Sequence, residues 1–424
     1  IDLGDVTGAT GITVYRSTAA LTLENIDEID PITLDREDDN IAHIFTFSTG
    51  TVSGTSDSIT LTINNSSNAG EITLDGIETI NLVSTNNPTG DANELTLDEA
   101  ATGTNTETLN ISGAGDLEIT DTDSLTITNS ASGDVEILDA TLATSVTHTG
   151  TGELDVTLDE DDATVTAAGA TGSLVVTATE AGDLTLTGGS GADTFEMGAT
   201  LVYTNSSNHD VIDGGAGTDT LQLTGSAGTV TSVTDGDLNV TNVEQLEING
   251  TTNADTLDFD TFVSPATFTT VIVTAAADLA DVTLTDVQAS TYTFRNATGG
   301  DTGDLLADVA IDLKDSSGTA DTITINLNNR QAGTANNQND FTMAELDADA
   351  IEVITLNATK VSSEGTAEDI AITRFGADDL ESLTLTGDAD LTISNVLDDE
   401  VVTVNASAYT GALDLLHGTN ALTY

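Results

Sequence analysis

Short runs in which every second residue is apolar dominate the chain: "DSITLTI" (57–63), "SLTITN" (124–129), "DLTLTG" (183–188), "DTITINL" (321–327), "SLTLTG" (382–387) and "DLTISN" (390–395). Thr, Ser or Asn stand between the apolar positions, so each run offers one face to a core and one to water, as a half-buried strand does. Gly, Asn, Asp and Ser punctuate the runs at intervals of roughly 8 to 12 residues, the spacing of an all-β chain. Helical periodicity is scarce, and "FTMAELDADAIEV" (341–353) is the stretch that predicts one short helix.

Internal repeats choose between a sandwich and a solenoid. Related segments recur as "GIETINL" (76–82), "NTETLNI" (105–111), "GDVEILD" (133–139), "NVEQLEI" (242–248), "AIEVITL" (350–356) and "DLESLTL" (379–385). Their glutamates are Glu78, Glu107, Glu136, Glu244, Glu352 and Glu381; the steps 78→107, 107→136 and 352→381 each span 29 positions. A constant step with alternating strands inside it predicts the coils of a β-solenoid. A longer repeat aligns "DATVTAAGATGSLVV" (162–176) with "EVVTVNASAYTGALDL" (400–415), Val165 on Val404 and Gly172 on Gly411. The first copy runs on into "LTLTGGSGADTF", so the natural chain is expected to continue past Tyr424, and the start at Ile1 implies a segment upstream. The expected fold is an all-β, modular β-solenoid or parallel β-roll. It would comprise an N-terminal β segment over 1–60 offering an assembly contact, a solenoid over 61–260, and a second solenoid module over 261–424.

Charge then changes the picture. The chain carries 72 acidic and 7 basic residues, a formal net charge of −65, yet 38% of its residues are hydrophobic, enough for a core. Nucleic acid and anionic membranes are excluded as partners by repulsion. No run approaches the roughly 18 apolar residues of a membrane span. Two carboxylates about 4 Å apart repel by roughly 4 kcal/mol at an effective dielectric near 20, so such a surface calls for bound cations or salt. The absence of cysteine excludes disulfides and thiolate metal sites.

The cation chemistry has an address. "GGSGADTFE" (188–196) and "GGAGTDTLQ" (214–222) both fit G-G-x-G-x-D-x-hydrophobic-x. Glycines let backbone carbonyls converge on one point, the aspartate adds a charged oxygen, and the hydrophobic residue starts a strand. An all-oxygen donor set suits Ca²⁺. "NSSNHDVID" (205–213) is a degenerate copy with Asn in glycine slots, and "GTTNADTLD" (250–258) a weaker one. Two nonapeptides make one 18-residue turn, so Asp219 with Asp237, and Asp193 with Asp210, are expected to stack and share an ion. The candidate calcium-binding residues are Gly188, Ser190, Asp193, Asn208, Asp210, Asp213, Gly214, Ala216, Asp219, Asp235, Asp237 and Asp255. Lesser candidates are Asp35, Asp38 and Asp39, Asp159 and Asp161, and Asp398 and Asp399, against the alternative of solvated acidic turns.

On these nonapeptides, over about 188–258, the chain resembles the RTX family of type-I-secreted bacterial proteins. The "IETINL" and "TGALDL" modules resemble, over about 60–424, the surface-layer proteins of the Caulobacter type within that group. The resemblance implies an extracellular protein, secreted by a type I route, in which calcium folds the roll after export and joins subunits into a sheet on the cell. The departure is that nonapeptides here are few and interrupted. The partner it implies is another copy of the chain, in a lattice or a biofilm-matrix filament, with a cell-surface polysaccharide as a further partner. An RTX adhesin spacer and the non-catalytic part of a secreted enzyme stay open as alternatives. Catalysis is not expected: there is no H-E-x-x-H or G-x-S-x-G, the basic residues are scattered, and His43, His148, His209 and His417 share no ligand spacing. His209 reads as a surface histidine beside Asp210. The T-x-T pairs, such as Thr60/Thr62, fit a wet strand face better than an ice-binding ladder, because their spacing is irregular.

Overall fold

The computed structural model describes residues 1–4, 6, 8–98, 108–160, 162–179, 182–197, 203–205, 208–224, 238–251, 255–264, 267–275, 280–296, 305–330, 341–360, 369–397 and 401–416. They form two compact units, residues 1–196 with 208–219, and residues 197–207 with 220–424.

In the first unit successive strands go alternately to two faces. One face begins with Ile12–Tyr15, Ile32–Asp35 and Ser58–Asn64 and ends with Thr164–Thr166, Thr185–Thr187 and Val211–Asp213. The other begins with Leu21–Ile26 and His43–Phe47 and continues through Leu117–Ile119, Val135–Ala140, Leu154–Leu158 and Leu174–Ala178. Strands pair in parallel with the next but one in sequence, except that Thr185–Thr187 pairs with Val211–Asp213 across three intervening strands. That pairing is a parallel β-solenoid: one coil supplies one strand to each face. The second unit repeats the plan. Gln245–Thr251, Thr270–Ala275, Thr291–Asn296, Thr322–Asn329, Val353–Lys360, Ser382–Gly387 and Thr403–Tyr409 stack on one face. Asp255–Asp258, Ala280–Val287, Leu305–Leu313, Phe341–Asp347, Asp369–Gly376, Asp390–Val396 and Leu413–Leu416 stack on the other.

The alternation of the sequence becomes columns of like residues inside the coils. Ile59, Ile80, Leu109, Ile127, Val146, Val165, Leu186 and Ile212 lie in register, each 2% exposed or less. In the second unit Leu246, Val271, Tyr292, Ile325, Leu356 and Leu385 do the same. Burying each such side chain stabilises by about 1.5–3 kcal/mol before entropy is counted. Tyr292 keeps its hydroxyl satisfied by donating to the Ala289 carbonyl at 3.0 Å. Phe259, Phe262 and Phe268 fill one turn of the second unit with ring centroids 4.9–6.0 Å apart.

The helix expected over 341–353 is a strand, Phe341–Asp347. Met, Ala, Glu and Leu favour helix in isolation, but Phe341 and Met343 alternate into the core and pair with Ile370 and Ile372 of the next coil, which overrides local propensity. The 29-residue step is a coil length only in part. Thr79 pairs with Thr108, and Val353 with Ser382, as that step requires. Glu136, however, sits on the opposite face from Thr79 and Thr108, paired with Glu118 and Asp155. There the coil has tightened, Asp116 and Asp134 of neighbouring coils being 18 residues apart.

A column of glycines permits the tightening. At one corner Gly115, Gly133, Gly152, Gly172, Gly191 and Gly217 stack so closely that a Cβ on any of the last five would lie 1.9–2.7 Å from the carbonyl oxygen of the glycine before it. Gly411, the counterpart of Gly172 in the longer repeat, makes the same approach to the Ala389 carbonyl in the second unit, at 1.9 Å.

Gly152→Ala should therefore destabilise the protein by more than about 1 kcal/mol in chemical denaturation. Gly50→Ala, where a Cβ meets nothing within 4 Å, should be neutral or slightly stabilising.

Candidate metal centre

The two full nonapeptides occupy one corner of adjacent coils. Gly188 lies against the Gly214 carbonyl, Gly215 against that of Gly189, and Gly217 against that of Gly191. The Ala216 amide donates to Gly189 O at 2.9 Å.

Two positions after each corner glycine comes the first inward residue of the following strand. In four coils it is Leu117, Val135, Leu154 and Leu174, each 2% exposed or less. In the next two the same place is taken by Asp193 and Asp219, each immediately before its strand (Thr194–Met197 and Thr220–Thr224) and both 0% exposed. The Asp193 carboxylate accepts from the amides of Leu174 (2.7 Å) and Gly189 (2.6 Å). Its own amide donates to Asp219 Oδ1 at 2.8 Å. Burial raises the Asp193 pKa above the ordinary carboxylate value, against the opposing effect of those two amides. Two fully buried carboxylates in neighbouring coils are costly unless their charge is compensated.

Asp193 thus meets Asp219. The expected pairing of Asp193 with Asp210 does not form, because Asp210 stands at the other corner of the coil, where its Oδ1 accepts from the Leu184 amide at 2.9 Å. Asp213 closes the strand before the second nonapeptide; its carbonyl takes the Gly188 amide at 2.8 Å and its Oδ1 the Gly215 amide at 3.2 Å. Ser190 donates through both its amide and its hydroxyl to the Ala170 carbonyl. Asn208 opens the short strand Asn208–His209, and Asp255 opens Asp255–Asp258 in the second unit. Asp235 and Asp237, and with them the Asp219–Asp237 pair, lie outside the described residues. So do Asp161, Asp398 and Asp399. Asp35 accepts from Asn64 Nδ2 (2.8 Å), Asp38 from the Ser67 amide and hydroxyl (3.2 and 3.0 Å), and Asp159 from the Thr179 hydroxyl (2.7 Å); Asp39 is exposed.

Among the described residues no three His, Asp or Glu side chains converge on one point. A cation at the 188–193 and 214–219 corners would therefore take backbone carbonyls beside the two aspartates. All of these donors are oxygen, and the glycines leave the backbone open to close approach, so the residues fit a hard divalent ion such as Ca²⁺.

Three features escaped the sequence. His43 and His148 are fully buried; His43 Nε2 lies 3.4 Å from buried Glu37, and His148 Nδ1 3.2 Å from Asn129 Nδ2. On the outer surface of the same sheet, Glu94, Glu118, Glu136 and Asp155 stand in register. With Asp116, Asp134 and Glu153, the last three of that column border a cleft of about 180 Å³. The second letters of "LEI", "VEI" and "LDV" carried this ladder, but only the coil register aligns them.

The chain matches no protein-family model, no curated protein and no solved structure.

Partial burial, with Glu136, Glu153 and Glu196 adding repulsion, pushes Asp155 up to about 6. Burial, then Glu118 and Asp91, raises Glu94. Since the folded pKa of Asp155 exceeds its ordinary 3.8, this carboxyl destabilises the fold above pH 6, and that cost is relieved as pH falls through 6 towards 4. His148 acts oppositely: burial lowers its pKa below 6.5, so stability is lost as pH drops through that value. Asp155→Asn should stabilise at pH 7.5 by up to about 1 kcal/mol, solvent screening being allowed for. The gain should vanish near pH 4, as read by urea denaturation across pH.

Proposed function

We propose that this chain is a structural, non-catalytic extracellular protein: a β-solenoid stabilised by calcium that serves as a subunit of a bacterial surface layer or matrix filament. The observation that carries the reading is the replacement of a buried leucine or valine column by Asp193 and Asp219 at the two full nonapeptide corners. A fully buried aspartate needs its charge compensated, and the sequence carries no lysine or arginine between Arg36 and Arg295. Calcium would be held by Asp193 and Asp219 with the carbonyl groups of the 188–190 and 214–216 turns. It would neutralise the pair and fix the coil spacing. The extreme acidity of the rest of the chain supplies further carboxylates for calcium to bridge between copies, which would propagate where the contact symmetry does not close. The resemblance of the repeat modules to surface-layer proteins points the same way.

Adding Ca²⁺ to chelator-treated protein should raise the midpoint of thermal unfolding in the 10⁻⁴–10⁻³ M range of extracellular sites. At a hundred times Kd the gain is about 2.7 kcal/mol per site. Asp193→Asn or Asp219→Asn should move the calcium midpoint upward by tenfold or more. Light scattering and electron microscopy of the calcium form should show ordered sheets or fibres. A calcium form that folds but stays monomeric would favour the adhesin spacer, and no response to calcium would overturn the reading.

A further inference from the structure

The corner that holds the nonapeptides in the first unit continues through coils that lack the motif. Aligned on the stacked glycines, the corners read Gly115-Asp116-Leu117, Gly133-Asp134-Val135, Gly152-Glu153-Leu154, Gly172-Ser173-Leu174, Gly191-Ala192-Asp193 and Gly217-Thr218-Asp219. Three of the first four carry an acid immediately after the glycine and an apolar residue next. The last two carry a small residue and then the acid.

Both kinds of corner do the same backbone work. Asp116 Oδ1 accepts from the Asp134 amide at 3.0 Å, and Asp134 Oδ1 from the Glu153 amide at 3.0 Å. Glu153 accepts from the Ser173 hydroxyl at 2.6 Å, and Asp116 also from Asn87 Nδ2 at 2.6 Å. Asp193 and Asp219 accept from the amides of Leu174 and Asp193, one coil back. In each case but Glu153, which takes a hydroxyl, a carboxylate satisfies a corner amide of a neighbouring coil. The difference is where the charge ends up. Asp134 and Glu153 are exposed and Asp116 half-buried, so water screens them; Asp193 and Asp219 are wholly buried.

We infer that the position of the acid after the corner glycine sets whether a coil needs an ion: Gly-acid-apolar corners are metal-independent, and Gly-x-Asp corners are the ones that calcium must complete. The calcium demand of the first unit is then confined to its last two stacked corners, 188–193 and 214–219, while the coils from Asp116 to Ala178 hold without it. The inference rests on the calcium reading above and adds a code for it.

The test moves the acid by one position. A192D/D193L together with T218D/D219L turns both corners into the form found at Gly115, Gly133 and Gly152. Hydrogen exchange with and without chelator reads each coil separately. In the unaltered chain, chelator should strip protection from strands Thr185–Thr187 and Val211–Asp213 at least tenfold more than from Leu117–Ile119 and Leu154–Leu158. In the shifted variant the difference between the two regions should disappear. The reciprocal variant D134A/V135D should make protection at Val135–Ala140 depend on calcium, where none did before. A chain whose unaltered form ignores calcium overturns the calcium reading and the inference with it. If the unaltered chain responds, but the shifted corners respond equally or fail to fold even with calcium, the inference alone is overturned.

Discussion

Parallel, in-register stacking governs everything else in this molecule. Neighbouring coils sit roughly 4.8 Å apart along the strand-pairing direction, so a residue at a given position meets its own counterpart above and below. Apolar counterparts multiply the gain, as the Ile59–Ile212 column shows. Asparagines also gain, by donating along the stack: Asn110 to Asn81 at 3.0 Å, and Asn357 to Asn326 at 3.2 Å. Acids lose, since a column of carboxylates repels itself. A chain with 72 acidic residues in such a fold must therefore find a counterweight at nearly every coil.

Backbone amides are the commonest counterweight. Each corner takes the chain out of one sheet before it joins the other, and leaves an amide without a strand partner. Glu37 takes the Ser17 amide, Glu78 that of Asp57, Asp349 that of Asp378, and Glu352 that of Asp321, each in another coil. These are charge-assisted bonds, stronger than neutral ones. They explain why so many of the acids stand beside turns and link coils rather than residues close in sequence. The recurring Glu78 and Glu352 of the "IETINL" segments belong to this group, which gives that repeat a physical meaning beyond its period.

The fold class was legible because alternation has period two and survives any coil length, and the solenoid was legible because like segments recur. Coil boundaries were less so. A 29-residue step holds from Thr79 to Thr108 but not where the glycine corners tighten the coil; the signal for the shorter step was the G-D-apolar-E-I shared by "GAGDLEI" and "ASGDVEI" 18 residues apart, which the glutamate spacing alone passes over. The helix expected at 341–353 failed for a related reason: composition favoured helix, while the strands on either side demanded a partner. At the candidate centre the motif located Asp193 and Asp219 but misassigned the partner of Asp193, because a spacing of 17 residues presupposes uniform coils. The corner from Gly191 to Gly217 spans 26 residues, the separation across which Asp193 donates to Asp219.

The remaining counterweight is a cation, and the second unit carries some of its own. Arg295 bridges to Glu247 and is steadied by donating to the Thr274 hydroxyl at 2.8 Å; Lys314 reaches Asp260, and Arg374 reaches Glu345. Each pair joins different coils. Such pairs at a surface are individually weak, about 0–1 kcal/mol, so their value lies in cancelling a local column of like charge rather than in bond strength. Burial first, and then Asp260, Asp258 and Asp312, oppose ionisation of Asp286, which the charge of Lys314 favours. In the first unit the basic residues are Arg16 and Arg36 alone, both far from the 188–219 corners in sequence. The same electrostatic problem is thus met by a tethered cation in one unit. In the other, on the calcium reading proposed above, an ion taken from solution would meet it at the acids that turn inward.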